Sequence, residues 1–171
     1  TLRFNNLPGN LTPGSTINTA NPYAVKITSN NLLTTYFEFG SNMSNSVIKG
    51  FEITQFGSKA FSLLVNVNNN SGITIRDNYI HEGRPAVNNQ VPINFAGAST
   101  KYIITNNIIE GGTTAIAGIY FNHFSNTGSQ VSFNTIIAPN STSYGIWSIA
   151  TSSLYYFNEI IGYGSGFGAN H

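Results

Sequence analysis

The chain has 171 residues with a net charge of +1; 40% of residues are hydrophobic and only 8% are charged. That charge content is far below the roughly 25% of ordinary soluble proteins, so a Lys/Glu-coated helical surface cannot be built from it. With no cysteine, disulfide frameworks and thiolate metal sites are excluded, and without a Lys/Arg cluster there is no electrostatic footprint for a nucleic acid backbone. No apolar run approaches the 18 residues of a membrane span. The chain reads as a mature soluble protein or an excised part of one.

Residues 1–23, with Pro8-Gly9 and Pro13-Gly14, predict a loop-rich N-terminal segment or one irregular coil. From residue 24 to residue 171 the chain repeats. Ile48-Lys49-Gly50-Phe51-Glu52-Ile53 opens the series, followed by Ile75-Arg76-Asp77-Asn78-Tyr79-Ile80 and Ile104-Thr105-Asn106-Asn107-Ile108-Ile109. Val131-Ser132-Phe133-Asn134-Thr135-Ile136 and Tyr155-Tyr156-Phe157-Asn158-Glu159-Ile160 complete it. Positions 51, 78, 107, 134 and 158 are spaced by 27, 29, 27 and 24 residues, the signature of a solenoid rather than a globular core.

Each interval holds a further apolar strand. Leu63, Ile93, Ile119 and Ile146 lie 12, 15, 12 and 12 residues after positions 51, 78, 107 and 134. Three short strands per coil and about five to six coils are therefore expected, joined by turn chemistry such as Asn68-Asn69-Asn70-Ser71-Gly72 and Ser125-Asn126-Thr127-Gly128. Helix is expected to be nearly absent.

In such a coil, equivalent residues sit one strand spacing apart and like stacks on like. The Ile53, Ile80, Ile109, Ile136, Ile160 column and the Ile48, Ile75, Ile104, Val131, Tyr155 column are predicted to line the interior. Asn78, Asn107, Asn134 and Asn158 should form a ladder at a tight bend, because buried amides are tolerable only when paired.

This pattern resembles the pectate-lyase-like superfamily of right-handed parallel β-helices, with its internal Asn ladder, over roughly residues 24–171. The resemblance implies an all-β, right-handed parallel β-helix. It also implies an extracellular or cell-surface setting. It does not select a function, since that superfamily spans polysaccharide lyases and hydrolases, tailspikes, adhesins and structural surface proteins.

The family's lyases hold calcium with several carboxylates and use an Arg or Lys base. Here the acids are only Glu38, Glu52, Asp77, Glu82, Glu110 and Glu159, so no calcium ligand cluster is seen and no cofactor is expected, calcium being the one candidate the resemblance leaves open. The hydrolase signatures Asn-Thr-Asp, Asp-Asp, Gly-His-Gly and Arg-Ile-Lys do not occur.

The candidate catalytic residues are His81, Glu82 and Glu110. In the repeat frame His81 and Glu110 both follow their Asn by three residues, which makes them stacked neighbours; a His beside a carboxylate can act as a general base. The other reading is a solvated ion pair across adjacent coils. Lys49 and Arg76 share a column and can neutralise an acidic sugar, or are simply exposed strand residues. Alternation in Gly118-Ile119-Tyr120-Phe121 turns Tyr120 outward, with Trp147 beside it, giving either a sugar-contacting surface or ordinary surface aromatics.

Four Asn-x-Ser/Thr sequons, at Asn10, Asn42, Asn69 and Asn140, permit glycosylation. His123 and His171 have no partner at metal-ligand spacing. Counting 12 from Asn158 places the next second strand at residues 166–170, so the C-terminal coil is expected to be open, to be covered by self-association or a continuing chain. The functional expectation is a non-catalytic extracellular structural or adhesive module presenting a rigid surface for assembly or polysaccharide contact. The alternative is a polysaccharide lyase or glycoside hydrolase.

Overall fold

The computed structural model describes residues 25–27, 35–39, 44–54, 59–63, 70–81, 90–97, 99–111, 115–123, 126–137, 143–150, 152–162 and 164–169. These are all strand, turn and bend, with no helix among them. The expected N-terminal segment, the four sequon asparagines, Glu82 and His171 lie outside the described residues.

The strands follow in order of coils. The series starts with β1 (Val25–Ile27) and β2 (Thr35–Phe39), then β3 (Val47–Lys49), β4 (Phe51–Thr54) and β5 (Lys59–Leu63). The next coils supply β6 (Asn70–Ser71), β7 (Thr74–Arg76), β8 (Tyr79–His81) and β9 (Ile93–Phe95), then β10 (Ser99–Thr100), β11 (Ile103–Thr105), β12 (Ile108–Glu110) and β13 (Ala117–Phe121). After these come β14 (Gln130–Ser132), β15 (Thr135–Ile137) and β16 (Tyr144–Ser148), and finally β17 (Leu154–Tyr156), β18 (Glu159–Ile161) and β19 (Ser165–Ala169).

Every pairing between them is parallel and joins strands of neighbouring coils. The first sheet runs β1-β4-β8-β12-β15-β18, the second β2-β5-β9-β13-β16-β19, and the third β3-β7-β11-β14-β17. A short fourth ladder, β6-β10, lies in the turn before the third sheet. Stacked parallel sheets of this kind, each taking one strand per coil, are the architecture of a solenoid.

The register fixes the interior. Ile27, Ile53, Ile80, Ile109, Ile136 and Ile160 are in line on the first sheet, and Ile48, Ile75, Ile104, Val131 and Tyr155 on the third. From Ile53 to Ile136 and from Ile75 to Val131 these side chains are fully buried, each contributing about 1.5–3 kcal/mol through loss of contact with water. Between the second and third sheets Tyr102 stacks on Phe95 with centroids 4.0 Å apart, and Phe95 stacks on Phe121 at 5.3 Å.

The strands of the second sheet do not keep one offset from the bend. Leu63 does not align with Ile93; the register sets Phe61 against Ile93 and Leu63 against Phe95. A constant offset from the bend fails because loops between coils absorb insertions at little entropic cost, so 15 residues separate Asn78 from Ile93 but only 10 separate Phe51 from Phe61.

Each strand of the third sheet is bounded by two left-handed residues. Asn45, Gly72, Lys101, Gly128 and Ser152 precede it, and Gly50, Asp77, Asn106, Phe133 and Phe157 follow it. Gly, Asn and Asp tolerate positive φ at low cost. A Phe does not, yet Phe133 and Phe157 hold φ of 56° and 54°.

Candidate functional site

The bend between the third and first sheets carries the Asn ladder. Asn78 Oδ1 accepts from the Phe51 backbone N–H at 3.1 Å, Asn107 Oδ1 from the Asn78 N–H at 3.1 Å, Asn134 Oδ1 from the Asn107 N–H at 3.0 Å, and Asn158 Oδ1 from the Asn134 N–H at 3.1 Å. Side-chain amides link the same residues: Nδ2 of Asn78, Asn107 and Asn134 donates to the next Oδ1 at 3.0, 2.9 and 2.9 Å. Each Nδ2 also reaches two carbonyls, as Asn107 does to Ile75 and Thr105, both at 3.0 Å. Thus the first three amides are buried with their hydrogen-bonding capacity used.

Directly after this bend, the outer face of the first sheet collects titratable groups. The core side chains Ile53, Ile80 and Ile109 force their strand neighbours outward. His81 Nε2 lies 3.0 Å from Glu52 Oε1, and the Tyr79 hydroxyl donates to Glu110 Oε1 at 3.1 Å. The Tyr79 and His81 rings stack with centroids 4.0 Å apart. His81 and Glu110 do occupy equivalent places on β8 and β12, as the repeat frame implies, and His81 contacts the Glu52 carboxylate of the preceding coil. His81 is only 7% exposed, which favours a group held in place over one meeting a bulky polymer.

Glu52 and Tyr79 were not singled out from the sequence. Their signal was their place immediately after positions 51 and 78, the first outward position of the first sheet.

On the third sheet Lys49 pairs in register with Arg76. Arg76 Nη1 contacts Asp77 Oδ2 at 2.5 Å, and Asn106 donates to Asp77 Oδ1 at 2.8 Å. On the second sheet Tyr120 and Trp147 are register partners whose rings stack at 4.6 Å and 16°. Tyr144 adds a third ring, 5.1 Å from Trp147. It lies where a side chain at Gly168 would be, since a Cβ there would come within 2.5 Å of the Tyr144 ring. Trp147 therefore contacts a ring from each of two neighbours. Burial raises the Tyr120 phenol above its ordinary range, and its hydroxyl donates to Asn122 Oδ1 at 2.8 Å.

Among the described residues no three His, Asp or Glu side chains gather as a metal site, and no helix is long and apolar enough to cross a membrane. No protein-family model, curated protein or solved structure matches the chain.

Proposed function

We propose that the chain is a right-handed parallel β-helix of the pectate-lyase-like type, serving as a non-catalytic extracellular or cell-surface module that presents a rigid face for assembly or glycan contact. The right-handed sense follows the rule that parallel strands of one sheet are joined by right-handed crossovers in about 98% of cases. One observation carries the non-catalytic reading: the acids placed for chemistry are engaged, Glu52 with His81, Glu110 with Tyr79 and Asp77 with Asn106 across coils, and Asp77 also with its neighbour Arg76. The polar, sparsely charged composition suits an extracellular stacked module whose stability resides in its columns.

Assembly is proposed through the last coil, by self-association or by pairing with a continuing chain. Strands β17, β18 and β19 end their sheets among the described residues, and an open cavity of about 390 Å³ lies between Tyr155, Asn158, Ile160 and Phe167. Edge strands of this kind accept another strand.

A second reading, a polysaccharide lyase or glycoside hydrolase, rests on His81 and Glu110, which occupy equivalent places on the adjacent strands β8 and β12, where a His beside a carboxylate can act as a general base.

The deciding experiment is incubation with pectin, alginate and neutral glycans, with and without calcium, following unsaturated products and reducing ends. No turnover is expected. Turnover abolished by His81→Ala or Glu110→Gln would replace the structural reading with the enzymatic one.

A further inference from the structure

Along the ladder each coil is completed by the one that follows it. The backbone N–H groups of Phe51, Asn78, Asn107 and Asn134 each donate to the Oδ1 of the next Asn. The residue after that Asn returns a bond: the N–H of Ile108 donates to the Asn78 carbonyl at 2.9 Å, that of Thr135 to Asn107 at 2.9 Å, and that of Glu159 to Asn134 at 2.8 Å. At Asn158 the series stops. Its Nδ2 keeps the carbonyls of Val131 and Tyr156, at 2.9 and 3.2 Å. Among the described residues no coil follows it, so neither a further Oδ1 nor a returning N–H meets its backbone.

The side chains around this place are uncovered in the same way. Asn134 and Ile136 are 1% and 0% exposed beneath the last described coil, whereas their partners Asn158 and Ile160 are only half-buried. Over them lies the open cavity of about 390 Å³, with Tyr155, Phe157, Asn158, Ile160 and Phe167 in its lining, a volume in the range of ligand sites. An apolar wall beside a main-chain donor and acceptor specifies an extended strand. Main-chain bonds then give affinity and alternate side chains give specificity.

The first described coils of a second copy do not supply that strand. By register Val25 and Phe51 hold the ladder position there, and neither side chain has an oxygen to accept the Asn158 N–H. A backbone N–H covered without an acceptor is costly.

We infer that the uncovered face of the last described coil is a binding site for an extended segment of another polypeptide, one that carries Asn two residues before an aliphatic residue. The Asn Oδ1 of that segment accepts the Asn158 backbone N–H and Nδ2. The N–H of its next residue donates to the Asn158 carbonyl, and the aliphatic side chain enters the cavity over Ile160. This inference rests on the assembly part of the proposed function and names the partner by its sequence chemistry.

The probe is a fluorescent peptide with the sequence of residues 104–110, Ile-Thr-Asn-Asn-Ile-Ile-Glu, titrated onto the chain and followed by anisotropy. It should bind, and it should slow hydrogen exchange at the Asn158 amide. The peptide bearing Asn107→Ala should bind about tenfold more weakly, through loss of one buried acceptor. Ile109→Ser in the peptide should have an effect of about the same size, through loss of apolar burial. In the chain, Phe167→Ser should weaken binding by roughly tenfold. Lys101→Gln, an exposed lysine on an earlier coil, should change it by less than about twofold. Thermal melts establish that both chain variants remain folded. No binding, equal binding of the Asn107→Ala peptide, or an unprotected Asn158 amide overturns the site. Sedimentation separates this inference from the reading it rests on. End-to-end assembly that the peptide does not compete with leaves the assembly reading standing and removes the site, whereas a monomeric chain that binds the peptide keeps the site without self-association.

Discussion

Asn134 Oδ1 accepts both the backbone N–H and the side-chain amide of Asn107, at 3.0 and 2.9 Å, so one side chain closes two bonds across a coil boundary. From Asn78 to Asn158, each amide serves as acceptor for the coil before it and as donor to one carbonyl of its own bend and one of the preceding coil. The ladder converts a sharp turn, where backbone groups would be orphaned, into a satisfied interior.

Asn107→Leu is therefore expected to destabilise the fold well beyond a surface change such as Thr74→Ala. It removes the acceptor for Asn78 N–H and Nδ2 and the donor for the Ile75 and Thr105 carbonyls. Each buried group left unpaired costs about 1–3 kcal/mol. Urea midpoints of the two variants give the comparison, and equal midpoints would count against the ladder as a stabilising device.

At the left-handed position before the ladder, Phe157→Asn should leave stability unchanged or raise it by up to about 1 kcal/mol, the strain released from a bulky residue held at positive φ. The ring is 75% exposed and its best contact is the stack on Phe133 at 5.3 Å, so little packing is lost. Earlier coils already use Gly50, Asp77 and Asn106 here. A drop of more than 1 kcal/mol in a denaturant titration would show that the aromatic stack outweighs the backbone strain.

The sequence disclosed this fold because the features that repeat are those dictated by stacking. Isoleucine recurs wherever a side chain points inward, and asparagine wherever a bend needs an amide. The second sheet was less legible: its offset from the bend changes with loop length, so that Phe61, not Leu63, is level with Ile93. The left-handed column was hidden by Phe133 and Phe157, which break the preference that Gly50, Asp77 and Asn106 obey. At the candidate site, repeat frame alone set His81 level with Glu110. The Glu52 contact is diagonal and depends on side-chain length and ring stacking, which a one-dimensional register does not encode.

His81→Ala is expected to destabilise the chain by about 1–3 kcal/mol, since it removes a ring stacked on Tyr79 and the hydrogen-bond partner of a partly buried Glu52. Glu52→Gln keeps a hydrogen-bonding oxygen for His81 and should cost less. Thermal melts of the two variants give the order; a larger loss for Glu52→Gln would mean that charge, rather than packing, holds this cluster together.

Tyr155 ties the stability of the chain to alkaline pH. Burial raises its phenol above the ordinary value, while hydrogen bonds with the Ser148 and Ser153 side chains partly oppose the rise; the Ser148 hydroxyl lies 2.8 Å away. A group whose folded-state pKa is raised holds its proton more tightly in the folded chain. Its contribution is thus fully present below the unfolded tyrosine value of about 10 and is lost as pH climbs through the raised folded value. Tyr155→Phe removes the ionisable group and keeps the ring that meets Phe121 and Phe167. Melting temperatures measured at pH ~8 and pH ~11 should therefore fall more for the wild type than for Tyr155→Phe. Parallel falls would show that the neutral phenol at this position contributes nothing to alkaline stability.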